Sequence, residues 1–167
     1  MDVKLKIAII AALGAVVAGA LQGPLVNSLY QDRPVIDVSL GKSDGSLPAK
    51  ELQHDGTNYY VEFAVRNRGN SDGKILLSIF GDNTKVSFIE NGPYLDVAQL
   101  NYVVFPDKES KTSKFYLRPN EDAQRIAFTL RTEKDTSASY FQELNTIIPL
   151  ELTFEKSGDD YILTDKR

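Results

Sequence analysis

The chain holds a single histidine, His54, in the segment Glu51-Leu52-Gln53-His54-Asp55-Gly56. A histidine next to an aspartate is the pair that activates a serine: the imidazole takes the hydroxyl proton and the carboxylate orients the ring. No strand–turn–helix that would strain a serine into reach is legible around it. His54 is therefore expected to be a solvated loop residue. One histidine and no cysteine also fall short of the two or three nitrogen or sulfur ligands that copper and catalytic zinc require. Oxygen ligands remain. Asn70, Asp72 and Gly73 partly match a calcium loop, but its first ligand position falls on Arg68, itself a cation. Asp107 with Glu109, Glu121 with Asp122, and Asp159 with Asp160 are carboxylate pairs on turns, where aspartate serves its own backbone. A glycosidase would need two carboxylates across a cleft, and a small sandwich offers little cleft. No cofactor and no catalytic or metal residue is expected, and the chain reads as a non-enzyme.

These residues must be carried by something, and the chain divides into two kinds of pattern. From Ile7 to Leu21 no charged residue occurs, and the apolar run continues to Val26. That is about 20 residues, the length a helix needs to cross a hydrocarbon core. Lys4 and Lys6 precede the run and the next basic residue is Arg33, so the positive-inside rule puts the N-terminus in the cytoplasm. The same stretch, with Ala18-Gly19-Ala20, also fits a cleavable signal peptide. Apolar character persisting to Leu29 and Tyr30, an aromatic at interface depth, favours an anchor that stays. Ala11, Ala15 and Gly19, and Gly14 with Ala18, recur at four-residue spacing, which lets helices approach closely in lipid.

After Arg33-Pro34 the pattern turns to period two, the mark of half-buried strands. Strands are expected at 35–40, 59–67, 74–80, 84–89, 102–105, 113–117, 125–131, 147–155 and 161–164. In 59–67, Val61, Phe63 and Val65 share one face; in 125–131, Ile126, Phe128 and Leu130 do. The polar stretch 41–58 carries three glycines and a proline and reads as a long loop or an irregular edge. Tyr94 to Leu100 reads as a short helix or an irregular crossing, and Asp135 to Leu144 as a short helical turn. Eight or nine short strands without a long helical period imply an all-β, Ig-like antiparallel β-sandwich, preceded by one N-terminal transmembrane helix. The expected division is an anchor at 1–30, a linker at 31–34 and the sandwich at 35–167.

Two stretches carry a family resemblance. YYVEFAVRNRGNSDGKILLSI resembles the strand, Asn-x-Gly-Asn turn and strand of immunoglobulin-like ectodomains of prokaryotic cell envelopes, and FYLRPNEDAQRIAFTLRT resembles the way such domains enter a later strand. Both are fold markers without catalytic meaning. An anchor joined to one such domain is similar in layout to archaellum stator proteins and other archaeal envelope proteins, though no pilin-type processing signal precedes the apolar run. The resemblance implies a structural or docking role.

A net charge of −4 disfavours phosphate backbones, so nucleic acid is excluded as a partner. Tyr59, Tyr60, Tyr94, Tyr102, Tyr116 and Tyr161 are candidates for a binding face, since tyrosine is enriched at interfaces, or for packing within the sandwich. Tyr94, Leu95 and Val97, an apolar run in an irregular segment, are the candidate partner surface. The expectation is a single-pass protein of the cell membrane with an extracytoplasmic domain. Its partners would be membrane lipid and other membrane or envelope proteins, further copies of itself included. The alternative is an accessory subunit of an integral membrane enzyme complex, with the helix packed on larger subunits and the sandwich capping the outer face.

Overall fold

The structure, a computed structural model, describes residues 32–41, 50–106, 111–147 and 150–167. Residues 1–30, with the expected anchor and its Ala11, Gly14, Ala15, Ala18 and Gly19, lie outside the described residues, as do Asp107 and Glu109. Among the described residues no helix is long and apolar enough to cross a membrane.

The described chain is all strand and turn. Its elements are β1 (Val35–Leu40), β2 (Gln53–His54), β3 (Tyr59–Asn67), β4 (Gly73–Asp82), β5 (Thr84–Ser87), β6 (Val97–Val104), β7 (Lys111–Pro119), β8 (Arg125–Lys134), β9 (Glu143–Ile147), β10 (Glu151–Ser157) and β11 (Asp160–Lys166). One sheet runs β5-β7-β3-β1-β9, with β2 added to β3, and the other β11-β10-β8-β4-β6. Every pairing is antiparallel except β1 with β9. The division of β1, β3 and β7 from β4, β8 and β10 is the A-B-E against C-F-G arrangement of immunoglobulin-type sandwiches.

Alternation produces the core. Val61, Phe63 and Val65 of β3 are buried, as are Ile126, Phe128 and Leu130 of β8. Four phenylalanines bridge the layers: Phe115 meets Phe128 edge-to-face at 5.0 Å, and Phe63 and Phe154 flank them at 6.2 Å each. Ring pairs at such separations add to their area burial.

The turn after β3 is fixed by Asn67, 1% exposed. Its Oδ1 accepts from the Val35 and Gly69 amides, and its Nδ2 donates to the Ser71 and Val104 carbonyls. One side chain thus ties the start of β1, the turn and the end of β6, satisfying four backbone groups that burial would otherwise penalise. Gly69 passes so close that a Cβ would lie 2.0 Å from the Arg33 carbonyl oxygen, which only glycine permits.

Three expectations are corrected. Residues 97–104 form one regular strand on β4, so Tyr94 to Leu100 is neither helix nor irregular crossing but a bridge at Leu95 followed by β6. The 135–142 region is two tight turns, Ala138 N–H to the Asp135 carbonyl and Gln142 N–H to the Ser139 carbonyl, that lead into β9. The expected strand 147–155 is split: Ile147 closes β9 in one sheet and Glu151 opens β10 in the other.

Candidate functional site

The residues with catalytic types are placed by turns and do not converge. Asp55 Oδ1 accepts from the Thr57 and Asn58 amides, an Asx turn. Those amides, Asn58 first, hold the exposed Asp55 carboxyl below its ordinary value. His54 Nδ1 accepts from the Gly56 amide, and its ring lies 4.8 Å from that of Tyr59. The letters Gly41-Lys42-Ser43-Asp44-Gly45 do spell the nucleophile-turn pattern, but Ser43 lies outside the described residues. Arg68, at the would-be first ligand position, is instead paired with Asp37, its Nε and Nη2 donating at 2.5 and 3.1 Å. Asn70 and Asp72, Glu121 and Asp122, and Asp159 are exposed in turns and loops, and Asp160, also exposed, opens β11. Among the described residues no three His, Cys, Asp or Glu side chains gather as a metal-holding group.

The six candidate tyrosines separate into four sets. Tyr60 and Tyr116 are cross-strand partners on β3 and β7, with the Lys114 ammonium 3.9 Å over the Tyr60 ring. Tyr94 is half-buried; its hydroxyl donates to Asn58 Oδ1 at 2.7 Å, and the Arg118 guanidinium lies 4.1 Å over its ring. Burial, the larger influence, pushes the Tyr94 phenol upward while Arg118 draws it down. Tyr59 and Tyr161 meet edge-to-face at 5.6 Å, and the Tyr161 hydroxyl donates to the Ala123 carbonyl. Tyr102 stands apart, its hydroxyl 3.5 Å from that of Ser113.

What does converge is apolar surface along β6. Leu95 is 52% exposed, Val97 39%, Val103 48% and Phe105 58%. Val97 and Val103 belong to β6, while Leu95 precedes the strand and Phe105 follows it; exposed apolar side chains so close in sequence are unusual because folding normally removes them from water. β6 is the last strand of its sheet and reads Val-Ala-Gln-Leu-Asn-Tyr-Val-Val, without a charge. Soluble sandwiches usually blunt such an edge with lysine, proline or a bulge. The residues facing out are Val97, Gln99, Asn101 and Val103; those facing in are Ala98, Leu100, Tyr102 and Val104. A small cavity of about 180 Å³ opens at the end of the strand, lined by Val65, Tyr102, Phe105 and Lys111 among others.

Sequence reasoning singled out Tyr94, Leu95 and Val97 and missed Val103 and Phe105, which it treated as an ordinary strand. The signal was present in their spacing: two apolar residues on each side of Gln99 and Asn101, all at odd positions. Tyr94 does not share this surface, being held under Arg118.

No family model matches the chain, and no curated protein matches it. Among solved structures, the crystal structure of the CARDB domain of a protein from Pyrococcus furiosus, in complex with di-metal ions, aligns with 70% of this chain and 90% of its own, at 14% identity and a TM-score of 0.38. The assignment of a sandwich rests on the strand order and registers given above.

Proposed function

We propose that the chain is a non-catalytic interaction protein, anchored in the cell membrane by residues 7–26 with its sandwich on the extracytoplasmic side, where it scaffolds a membrane or envelope assembly. The observation that carries this reading is the uncharged β6 edge with Val97 and Val103 exposed on it and Leu95 and Phe105 exposed just beyond its two ends. An edge whose outward backbone groups have no strand partner among the described residues, flanked by apolar side chains, suits strand addition by a protein partner. The basic residues ahead of the apolar run support the orientation, and the layout suits a scaffold of the kind archaellum stators provide.

The test is made on full-length protein extracted from its own membrane. The intact mass should include residues 1–20, and a photo-crosslinker at Val97 should attach to protein at several times the yield of one at the exposed Glu155. A mass beginning at Leu21 defeats the anchor, and equal crosslinking at the two positions defeats the docking edge.

A second reading, an accessory subunit of a membrane enzyme complex, is favoured by the small residues Ala11, Gly14, Ala15, Ala18 and Gly19. There the helix supplies most of the contact. Replacing Ala15 and Gly19 by leucine would then strip the chain of its companions while leaving Val97 crosslinks intact.

A further inference from the structure

The backbone of β6 is half used. The Gly81 amide donates to the Asp96 carbonyl at 2.9 Å, which sets the parity of the β4–β6 ladder. On the far side of β4, the Asp135 amide donates to the Lys74 carbonyl, so even residues of β4 serve β8 and odd ones serve β6. In an antiparallel pair the residues that exchange hydrogen bonds alternate with those that do not. Even residues of β6 therefore bond to β4. Val97, Gln99, Asn101 and Val103 turn their N–H and C=O groups to the outer edge, where no further strand lies among the described residues.

Those four residues form a palindrome, apolar-amide-amide-apolar. If an identical strand is laid antiparallel against β6 with Leu100 opposite Leu100, Val97 meets Val103 and Gln99 meets Asn101, each twice. All four outward-facing residues on each strand then find a partner, giving about eight hydrogen bonds. A shift of one residue would set bonding positions against non-bonding ones and turn each outer face to the core side. In the centred register no charge faces a charge, because β6 has none. The exposed Leu95 and Phe105 flank the pairing at its two ends.

The other sheet edges lack this self-fit. β11 carries Asp160, Asp165 and Lys166 and is occupied by residues 50–52. β5 is bridged by Leu95, and β9 is five residues long and begins with a glutamate paired to Arg33.

We propose that two copies of this chain pair antiparallel through β6 about a two-fold axis at Leu100, joining their five-stranded sheets into one continuous sheet. This deepens the docking-edge reading and rests on it: the partner of that edge is a second copy. Such an interface is isologous and closes on itself, so it gives a dimer and not a filament.

The experiment follows the molar mass of the full-length chain in detergent by light scattering. The wild-type chain is expected to be dimeric. Val97→Lys with Val103→Lys places lysine opposite lysine twice and should weaken the dimer by about 100-fold or more. Val97→Glu with Val103→Lys sets opposite charges in the same places and should restore it. Both positions are exposed, so the melting temperature should stay within a few degrees of wild type, on the order of ordinary surface substitutions. The chain has no cysteine of its own. In Leu100→Cys, two sulfurs then face each other in a non-bonded pair with Cα atoms about 4.5 Å apart, which a disulfide spans. Tyr102→Cys faces Ala98 and should not self-link. A monomeric wild type, or a dimer indifferent to the lysine pair, overturns the pairing. The Val97 crosslink then separates the two readings: attachment to a different protein leaves the docking edge standing, and no attachment removes both.

Discussion

The five-stranded sheet ends on one side in β11 and on the other in β6, and the two edges are built on opposite principles. Along β11 the segment 50–52 supplies a partner: the Leu52 amide donates to the Tyr161 carbonyl and the Leu163 amide to that of Lys50. Leu52 is 5% exposed, and β2, continuous with this segment, pairs with β3 in the other sheet. The chain thereby laces the two sheets together, and the Tyr59–Tyr161 contact reinforces the seam. Along β6 nothing comparable lies among the described residues; outward amides and apolar side chains alternate without charge or proline. An edge already filled contributes to folding, whereas the open edge is, on the proposal above, the one that takes a second copy.

The largest effect should come from the closed edge. Tyr161→Ala removes a ring that is 4% exposed together with its bond to the Ala123 carbonyl, and should cost about 4 kcal/mol in urea unfolding. Tyr161→Phe, which keeps the ring, should cost about 1 kcal/mol. A matched pair of prolines comes next. Leu163→Pro deletes an amide that bonds to Lys50 and should cost about 3 kcal/mol. Asn101→Pro deletes an outward amide and spares the β4 ladder, so the loss should stay near 1 kcal/mol. Equal losses at the two sites would erase the distinction between filled and open edges. The smallest effect is acid loosening of the closed edge. The folded Asp55 carboxyl titrates below its ordinary 3.8 because the Asn58 and Thr57 amides bond to the charged form. Its contribution is therefore complete above pH 3.8 and fades as pH falls through the lower folded value. The Thr57 and Asn58 amide resonances should shift in that acid range, and in Asp55→Ala they should not.

Much of the sandwich was legible because its central strands alternate against water on one face. β1 and β3 begin and end where the period-two pattern does, and the inward faces of β3 and β8 hold the residues that alternation assigns to them. Legibility failed where burial on one face ceased to control the sequence. β6 has apolar residues on both faces, so Val97 and Val103 blur the alternation that Ala98, Leu100 and Tyr102 would otherwise display. β9 and β10 read as one run because a change of sheet leaves no mark on local hydrophobicity. Gln142 could not be foreseen either: it is 2% exposed, its Oε1 accepting from the Lys74 amide and its Nε2 donating to the Lys74 carbonyl. A glutamine that imitates a neighbouring strand is recognisable only once the strand is in place. For the site, residue types pointed to half of the apolar row. The palindromic order that gives the row its meaning emerges only when ladder parity shows which backbone groups are free.

β1 is gripped on both flanks, with five register pairs to β3 and five to β9. Just ahead of it, Arg33 is paired with Glu143 at 2.9 Å, and the Glu143 amide donates to the Pro34 carbonyl. Tension arriving through the chain before Val35 therefore pulls along the strand and loads both ladders in shear. Bonds loaded side by side break together at high force, whereas a strand peeled from a free end yields one bond at a time. From its N-terminal side the sandwich behaves as a mechanical clamp.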